Sequence, residues 1–424
     1  MTLPLVSPWE DVELAAALPQ PPSLQPTTTP APPPPTDAPE DEEKAEDYRE
    51  LAHWADRPLE SADVDALVGE VKTRVLTAGL LLPGGDELLE QCVLALLTGH
   101  LVLQGPPGTG KTTLARLLAD AFECTSELHT ATADWSTFDV IGGLQPRADQ
   151  DGKEVLRPWL GCVPNAALRC ARVIRRHDAD PQNEPHQAHW LVIDEFSRAE
   201  IDKAIGGLYT VLGGSGERDL PLWFADNPKQ AVVTLPRRFR IIATMNDVDA
   251  SFVYDFSQGL SRRFQFVHIG VPGKNDLDAE LDGAREKAAV WLVAEYHPSR
   301  AGTDDPVTLA KSWRTDQRFT AAVTVLKEVV QRVRYPEEGA EGGGWPLGTA
   351  QLGDVLRRVA LRTASNANLV AVLDSALADR VVPQMSGIAP VAIDGLIQWL
   401  EDQHPELPRA RSAAMHLRDT QTTS

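Results

Sequence analysis

Cysteine is scarce in this 424-residue chain: Cys92, Cys124, Cys162 and Cys170 are the only four. They form no CxxC pair, and Cys162 and Cys170 have no histidine at ligand spacing. That excludes a disulfide framework and a zinc ribbon, and leaves free thiols in a reducing compartment as the expectation. No run of about 18 apolar residues occurs, so no membrane-spanning helix is read. The first residues lack a basic stretch leading into a long apolar one, so no secretion signal is read and a cytoplasmic location is expected. Positive charge is also short, with 40 Lys and Arg against 61 Asp and Glu, a net of −21. About half of that surplus falls within residues 1–60. A duplex-binding protein shows a basic face. Only small clusters exist here, at Arg172, Arg175 and Arg176 and at Arg237, Arg238 and Arg240, so direct DNA binding is disfavoured.

What is present is a glycine-rich loop, Gly105-Pro106-Pro107-Gly108-Thr109-Gly110-Lys111-Thr112-Thr113. It fits G-x-x-x-x-G-K-[ST], in which backbone N–H groups cradle phosphates, the lysine reaches the β- and γ-phosphates, and the hydroxyl ligates Mg²⁺. The flanks agree. Leu101-Val102-Leu103 reads as a buried strand, and Thr113 to Phe122 repeats its apolar residues at three and four, as a helix does. Strand, loop and helix N-terminus together favour bound anion. Residues 105–113 are therefore the expected nucleotide site.

A second strand, His189 to Ile193, ends in Asp194-Glu195. At the carboxyl end of a buried parallel strand these face the ligand crevice. Asp194 is placed to hold Mg²⁺ with Thr112, and Glu195 to orient and deprotonate the attacking water. A third, Arg240 to Asn246, brings Asn246 to the same end. Taken locally Asn-Asp is ordinary turn chemistry; beside Asp194 and Glu195 it would hold the lytic water. Arg198 is a surface ion pair or a coupling residue, both readings standing at this stage.

The stretch between Lys111 and Asp194 is long for one α–β step. Asp151-Gly152 is a hairpin turn signal, and Gly161 to Ile174 resumes helical periodicity. A second hairpin is expected between 220–225 and 231–235. Residues 19–39 are rich in Pro, Thr, Ala and Gln, with Glu40 to Glu43 acidic, so a disordered tail is read over 1–45. A helical segment follows at 46–84, then an α/β core at 85–272, a helical domain at 273–405 and a tail at 406–424. Trp291, Trp313, Trp345 and Trp399 read as packing residues.

On these residues the chain resembles an AAA+ ATPase of the MoxR/McrB-like branch. Asp194-Glu195-Phe196-Ser197-Arg198-Ala199 resembles the Asp-Glu-x-x-Arg-Ala stretch of MoxR-like proteins. Met245-Asn246-Asp247-Val248-Asp249 resembles the Met-Asn-x-x-Asp-Arg signature of the McrB branch, with Ala250 in place of its arginine. Leu260 to Phe264 is similar to the segment that carries an arginine finger, on Arg263 first and Arg262 second. The resemblance implies an α/β P-loop NTPase core, a parallel sheet flanked by helices with hairpin inserts, followed by an α-helical lid. It implies ATP (GTP possible) with Mg²⁺, assembly with itself as a hexameric ring, and a protein client such as a von Willebrand factor A-domain protein. An McrB-like motor in nucleic-acid defence and a nucleotide-gated scaffold with little turnover are the alternatives. The lid is expected to place a sensor arginine near Gly348 to Leu352, where none stands.

Overall fold

The computed structural model describes residues 46–60, 63–148, 152–213, 216–246, 259, 262–301, 305–336 and 344–422. The chain divides into Met1–Glu46 and Asp47–Ser424, and everything below concerns the second unit. The tail at 1–45, the turn residue Asp151, Ala250 with Asp247 to Asp249, and most of the 339–344 loop lie outside the described residues.

Nine strands are found among the described residues: β1 (His100–Gly105), β2 (Cys124–Thr130), β3 (Gly142–Ala148), β4 (Glu154–Leu160), β5 (Ala188–Asp194), β6 (Asp219–Pro221), β7 (Val232–Thr234), β8 (Ile241–Asn246) and β9 (Phe264–His268). Five form one parallel sheet in the order β2-β5-β8-β1-β9. The order reverses at β1, which has β8 on one side and β9 on the other, so the crevice opens beyond its carboxyl end. β1, β5 and β8 are buried along nearly their whole length, as strands covered on both faces must be. β3–β4 and β6–β7 are antiparallel hairpins outside the sheet, where the turn signals put them.

The helices beside the sheet are α1 (Tyr48–Ala55), α2 (Val64–Thr77), α3 (Gly85–Thr98), α4 (Lys111–Ala121), α5 (Thr137–Val140), α6 (Cys162–Ala179) and α7 (Ile201–Ile205). Leu51, Val71 and Val75 join one core with Leu103, Leu118, Trp190 and Ile242. Two buried arginines tie this layer together. Arg238 donates to the Pro58 and Gln187 carbonyls at 2.7 and 3.1 Å and to Glu60 at 2.7 Å. Arg240 donates to the Leu96 carbonyl at the end of α3, where a cation meets the helix dipole. These two basic residues are thus spent inside the protein. All four cysteines are free and buried, and burial pushes the Cys92, Cys162 and Cys170 thiols up to about 12.

Among the described residues that follow, the elements are helical: α8 (Leu277–Ala301), α9 (Pro306–Thr315), α10 (Gln317–Arg334), α11 (Thr349–Ala360), α12 (Leu369–Ala376), α13 (Pro390–Gln403) and α14 (Pro408–Thr422). They enclose a second core. Trp313 stacks on Phe319 at 4.9 Å, and Trp291, Trp345 and Trp399 pack against it. The sequence reading makes 406–424 a tail. Instead, Ala410 and Ala414 of α14 are buried on the lid, because short alanines let this mostly polar helix sit close. A fully buried pair fixes the lid interior: Arg334 donates to both carboxylate oxygens of Glu280, at 2.6 and 2.9 Å, and Thr349 Oγ1 donates to the same carboxylate. No helix among the described residues is long and apolar enough to cross a membrane.

Candidate functional site

The carboxyl ends of β1, β8 and β5 lie side by side. Gly105 is in register with Asn246, and Ile193 with Ala243, so Asp194 follows beside Thr244. The loop 105–110 leaves β1 and enters α4, whose first residue is Lys111. Gly110 caps that helix at φ 88°, and a Cβ there would lie 2.3 Å from Leu80 Cδ1. Only glycine accepts both the left-handed backbone and that approach. Thr109 Oγ1 donates to the Pro106 carbonyl at 3.0 Å, which tightens the loop. Thr113 faces outward on α4.

Lys111 Nζ donates to the carbonyls of Gly105 (2.9 Å) and Pro106 (2.7 Å) and to Asn246 Oδ1 (3.0 Å). Thr112 Oγ1 donates to Asp194 Oδ1 at 2.7 Å. The same oxygen accepts from Thr244 Oγ1, and that hydroxyl accepts from the Glu195 N–H at 3.2 Å. Asn246 Nδ2 donates to Glu195 Oε2 at 2.8 Å, so Asn246 presents its oxygen to Lys111 and its nitrogen to Glu195. Arg198 Nε donates to Glu195 Oε2 at 3.1 Å from an exposed position. Glu195 itself has φ 56°, one of two non-glycine residues with positive φ among those described. Such a backbone costs about 1 kcal/mol and persists where its surroundings dictate it. Here it turns the chain sharply after β5 and sets the carboxylate against Asn246.

Five sequence-predicted residues therefore meet at one point: Lys111, Thr112, Asp194, Glu195 and Asn246. Two others are held elsewhere. Arg263 donates to the Tyr209 carbonyl (2.9 Å) and the Gly259 carbonyl (2.8 Å), with its guanidinium 5.6 Å over the Tyr209 ring. Arg262 is exposed. Among the described residues, neither is bonded to Asp194, Glu195 or Asn246. The hydroxyl of Thr112 and the carboxylate of Asp194 are hard oxygen donors of the kind Mg²⁺ takes, and the loop has the glycine cradle that phosphates need. The residues fit a Mg²⁺–nucleotide.

Sequence reasoning missed Thr244. It stands two before Asn246, so both side chains leave β8 on the same face; that spacing was the available signal. It also missed Leu80, and the contact of the lid with the loop. Ala350 N–H donates to the Gly108 carbonyl at 3.0 Å.

Residues 100–264 match the family profile described as the AAA domain, dynein-related subfamily. The matched span runs from β1 to the first residue of β9 and includes the phosphate loop, Asp194, Glu195 and Asn246. It supports an AAA+ ATPase core with a nucleotide-binding loop. No curated protein matches the chain.

Proposed function

We propose that this AAA domain makes the chain a Mg²⁺-dependent nucleoside triphosphatase, acting on ATP, that assembles with itself into a ring and works as a MoxR-like motor on a partner protein. One observation carries the reading: Lys111, Thr112, Asp194, Glu195 and Asn246 converge over the carboxyl ends of three adjacent parallel strands. In this reading the loop's backbone amides and Lys111 bind the β- and γ-phosphates, which exchanges the lysine's carbonyl and amide partners for phosphate oxygens. Thr112 and Asp194 hold Mg²⁺, which when bound neutralises charge on the phosphates. Glu195 accepts a proton from the attacking water, and Asn246 keeps carboxylate and water in line with the γ-phosphate. Thr244 fixes Asp194 and the Glu195 backbone.

The finger role falls on Arg262 or Arg263. Arg262 is already exposed, whereas Arg263 would have to leave the Tyr209 and Gly259 carbonyls. Either would serve the site of a neighbouring copy, where an arginine stabilises spreading charge by about 10³–10⁵ in rate. The Asp194-to-Ala199 stretch favours a MoxR-like protein-remodelling role, with a von Willebrand factor A-domain protein as the kind of client. The Met245-Asn246 pair favours the McrB-like alternative, for which GTP would be the substrate.

The test is phosphate release from ATP and from GTP, with and without Mg²⁺, by the wild type, Lys111→Ala and Glu195→Gln. The reading expects turnover of ATP that needs Mg²⁺, binding lost in Lys111→Ala, and binding kept with turnover reduced at least a hundredfold in Glu195→Gln. Preference for GTP would move the assignment to the McrB-like branch. Tight binding without turnover in any protein would leave a nucleotide-gated scaffold.

A further inference from the structure

The lid touches the phosphate loop through the first turn of α11, and this contact has an unusual polarity. The Gly108 carbonyl accepts from Ala350 N–H at 3.0 Å, so the phosphate loop caps the lid helix, whose own N-cap, Gly348, has no side chain to do so. The approach is close: a Cβ on Gly348 would lie 2.2 Å from the Pro107 carbonyl oxygen. Next in the turn is Gln351, more than nine-tenths buried. Its Oε1 lies against the loop, 2.7 Å from where a Cβ on Gly108 would stand. That oxygen is buried without a hydrogen-bond partner among the described residues.

The amide cannot simply turn over. Gln384 Nε2 donates to the Arg380 carbonyl at 2.6 Å, so Gln384 presents its oxygen to Gln351. Gln351 Nε2 must then donate to that oxygen, as it does at 2.9 Å. Reversing either amide would set oxygen against oxygen. A buried acceptor is thus aimed at the loop, and leaving it unmade costs about 1–3 kcal/mol. It lies at the same turn as Thr349, whose hydroxyl is anchored on the buried Glu280–Arg334 pair.

Resting on the reading of the loop as a nucleotide site, we propose that Gln351 is the lid's nucleotide-contacting residue and acts as a neutral hydrogen-bond acceptor. Ionised phosphates offer no donor, so Gln351 takes an O–H: a ribose hydroxyl, or a water that gives its other hydrogen to a phosphate. The lid then registers that a nucleotide is present without reading the charge of the γ-phosphate.

The experiment measures the affinity of full-length wild type, Gln351→Met and Gln384→Leu for ATP, ADP, 2′-deoxy-ATP and 3′-deoxy-ATP, with melting temperature recorded without nucleotide. Gln351→Met keeps size and removes the acceptor. The expected loss is about fivefold to tenfold for ATP and ADP alike, the worth of one hydrogen bond, with the nucleotide-free melt nearly unchanged. Gln384→Leu, which unlocks the amide, loses in the same direction and less. If the loss disappears with one deoxynucleotide, the donor is that ribose hydroxyl; if it is the same for all, the donor is a water. Equal affinity of wild type and Gln351→Met for every nucleotide overturns the inference, as does a loss confined to ATP. Failure of the wild type to bind any nucleotide would remove the nucleotide-site reading itself. Should Gln351→Met not fold, Gln384→Leu decides alone: a uniform loss supports the role and unchanged affinity removes it.

Discussion

Thr244 shows how much a single hydroxyl can organise. It donates to Asp194, whose oxygen also accepts from Thr112, and it accepts from the backbone of Glu195. Thr244→Val keeps the shape of the strand and removes both bonds. We expect turnover to fall about tenfold to a hundredfold, as for other groups that orient a ligand-holding carboxylate, with nucleotide affinity little changed. Single-turnover hydrolysis beside equilibrium binding checks this; equal loss in both would place Thr244 in binding instead. His100 gives a pH prediction. Burial, helped by the nearby Arg240 charge, pushes its imidazole from 6.5 down to about 3. It stays neutral, and its Nδ1 accepts from the Ile241 N–H at 3.0 Å. The unfolded chain takes a proton near pH 6.5 that the folded chain refuses. Stability from this residue is therefore complete above pH 6.5 and is lost as pH falls towards about 3, at up to about 1.4 kcal/mol per pH unit. Denaturant titrations at pH 7.5, 6 and 5 should show that slope in the wild type and a flatter one in His100→Asn.

At the scale of elements, the lid hangs on Glu280 and Arg334. Both side chains are fully buried, and Arg334 also donates to the Leu347 carbonyl just before α11. Removing one partner of a buried pair strands the other charge. Glu280→Gln should cost about 3–5 kcal/mol in denaturant unfolding, and should weaken nucleotide binding as α11 loosens from Gly108. An unfolding midpoint equal to that of the wild type would contradict it. The elements differ in how plainly the sequence announces them. β1, β5 and β8 each carry a short apolar core, Leu101 to Leu103, Trp190 to Ile193 and Ile241 to Ala243, because helices cover both faces of the sheet. The hairpins are marked by Gly152 and by Asn227-Pro228. β2 was not legible: as an edge strand it alternates small and polar residues, Cys124-Thr125-Ser126-Glu127, and reads like a loop. It is held by what no local pattern reveals, pairing with β5 and a cluster in which His129, His189 and Arg169 surround Glu127. Burial works against ionising Glu127, yet those partners hold it down at about 2. α9 was signalled, since Asp305 caps it ahead of Pro306 at the first position, a pairing easily passed over. At the site, Lys111, Thr112, Asp194, Glu195 and Asn246 come together, whereas Arg262 and Arg263 do not. Gln351 and Leu80 were missed because their roles come from the lid and the 80s loop folding onto the phosphate loop, contacts between segments far apart in sequence.

For the whole molecule, the decisive property is whether the site needs a second copy. All five converging residues come from one chain, whereas the two arginines that would complete it are turned to other partners or to solvent. An arginine acting across an interface makes turnover depend on assembly. Mixing Glu195→Gln with the finger variant at equal amounts should then restore part of the activity each lacks, because a Glu195 site can receive an arginine from the other protein. Mixed samples no more active than the sum of the two would argue for self-sufficient subunits.

The measurement that bears most directly on the account is specific ATPase activity across a protein concentration series, for the wild type, Glu195→Gln, Arg262→Ala and Arg263→Ala. The account predicts activity per subunit that climbs with concentration as particles assemble, and collapses in Glu195→Gln and in one arginine variant while that variant still binds ATP. Activity per subunit that is flat with concentration and indifferent to both arginines would contradict it.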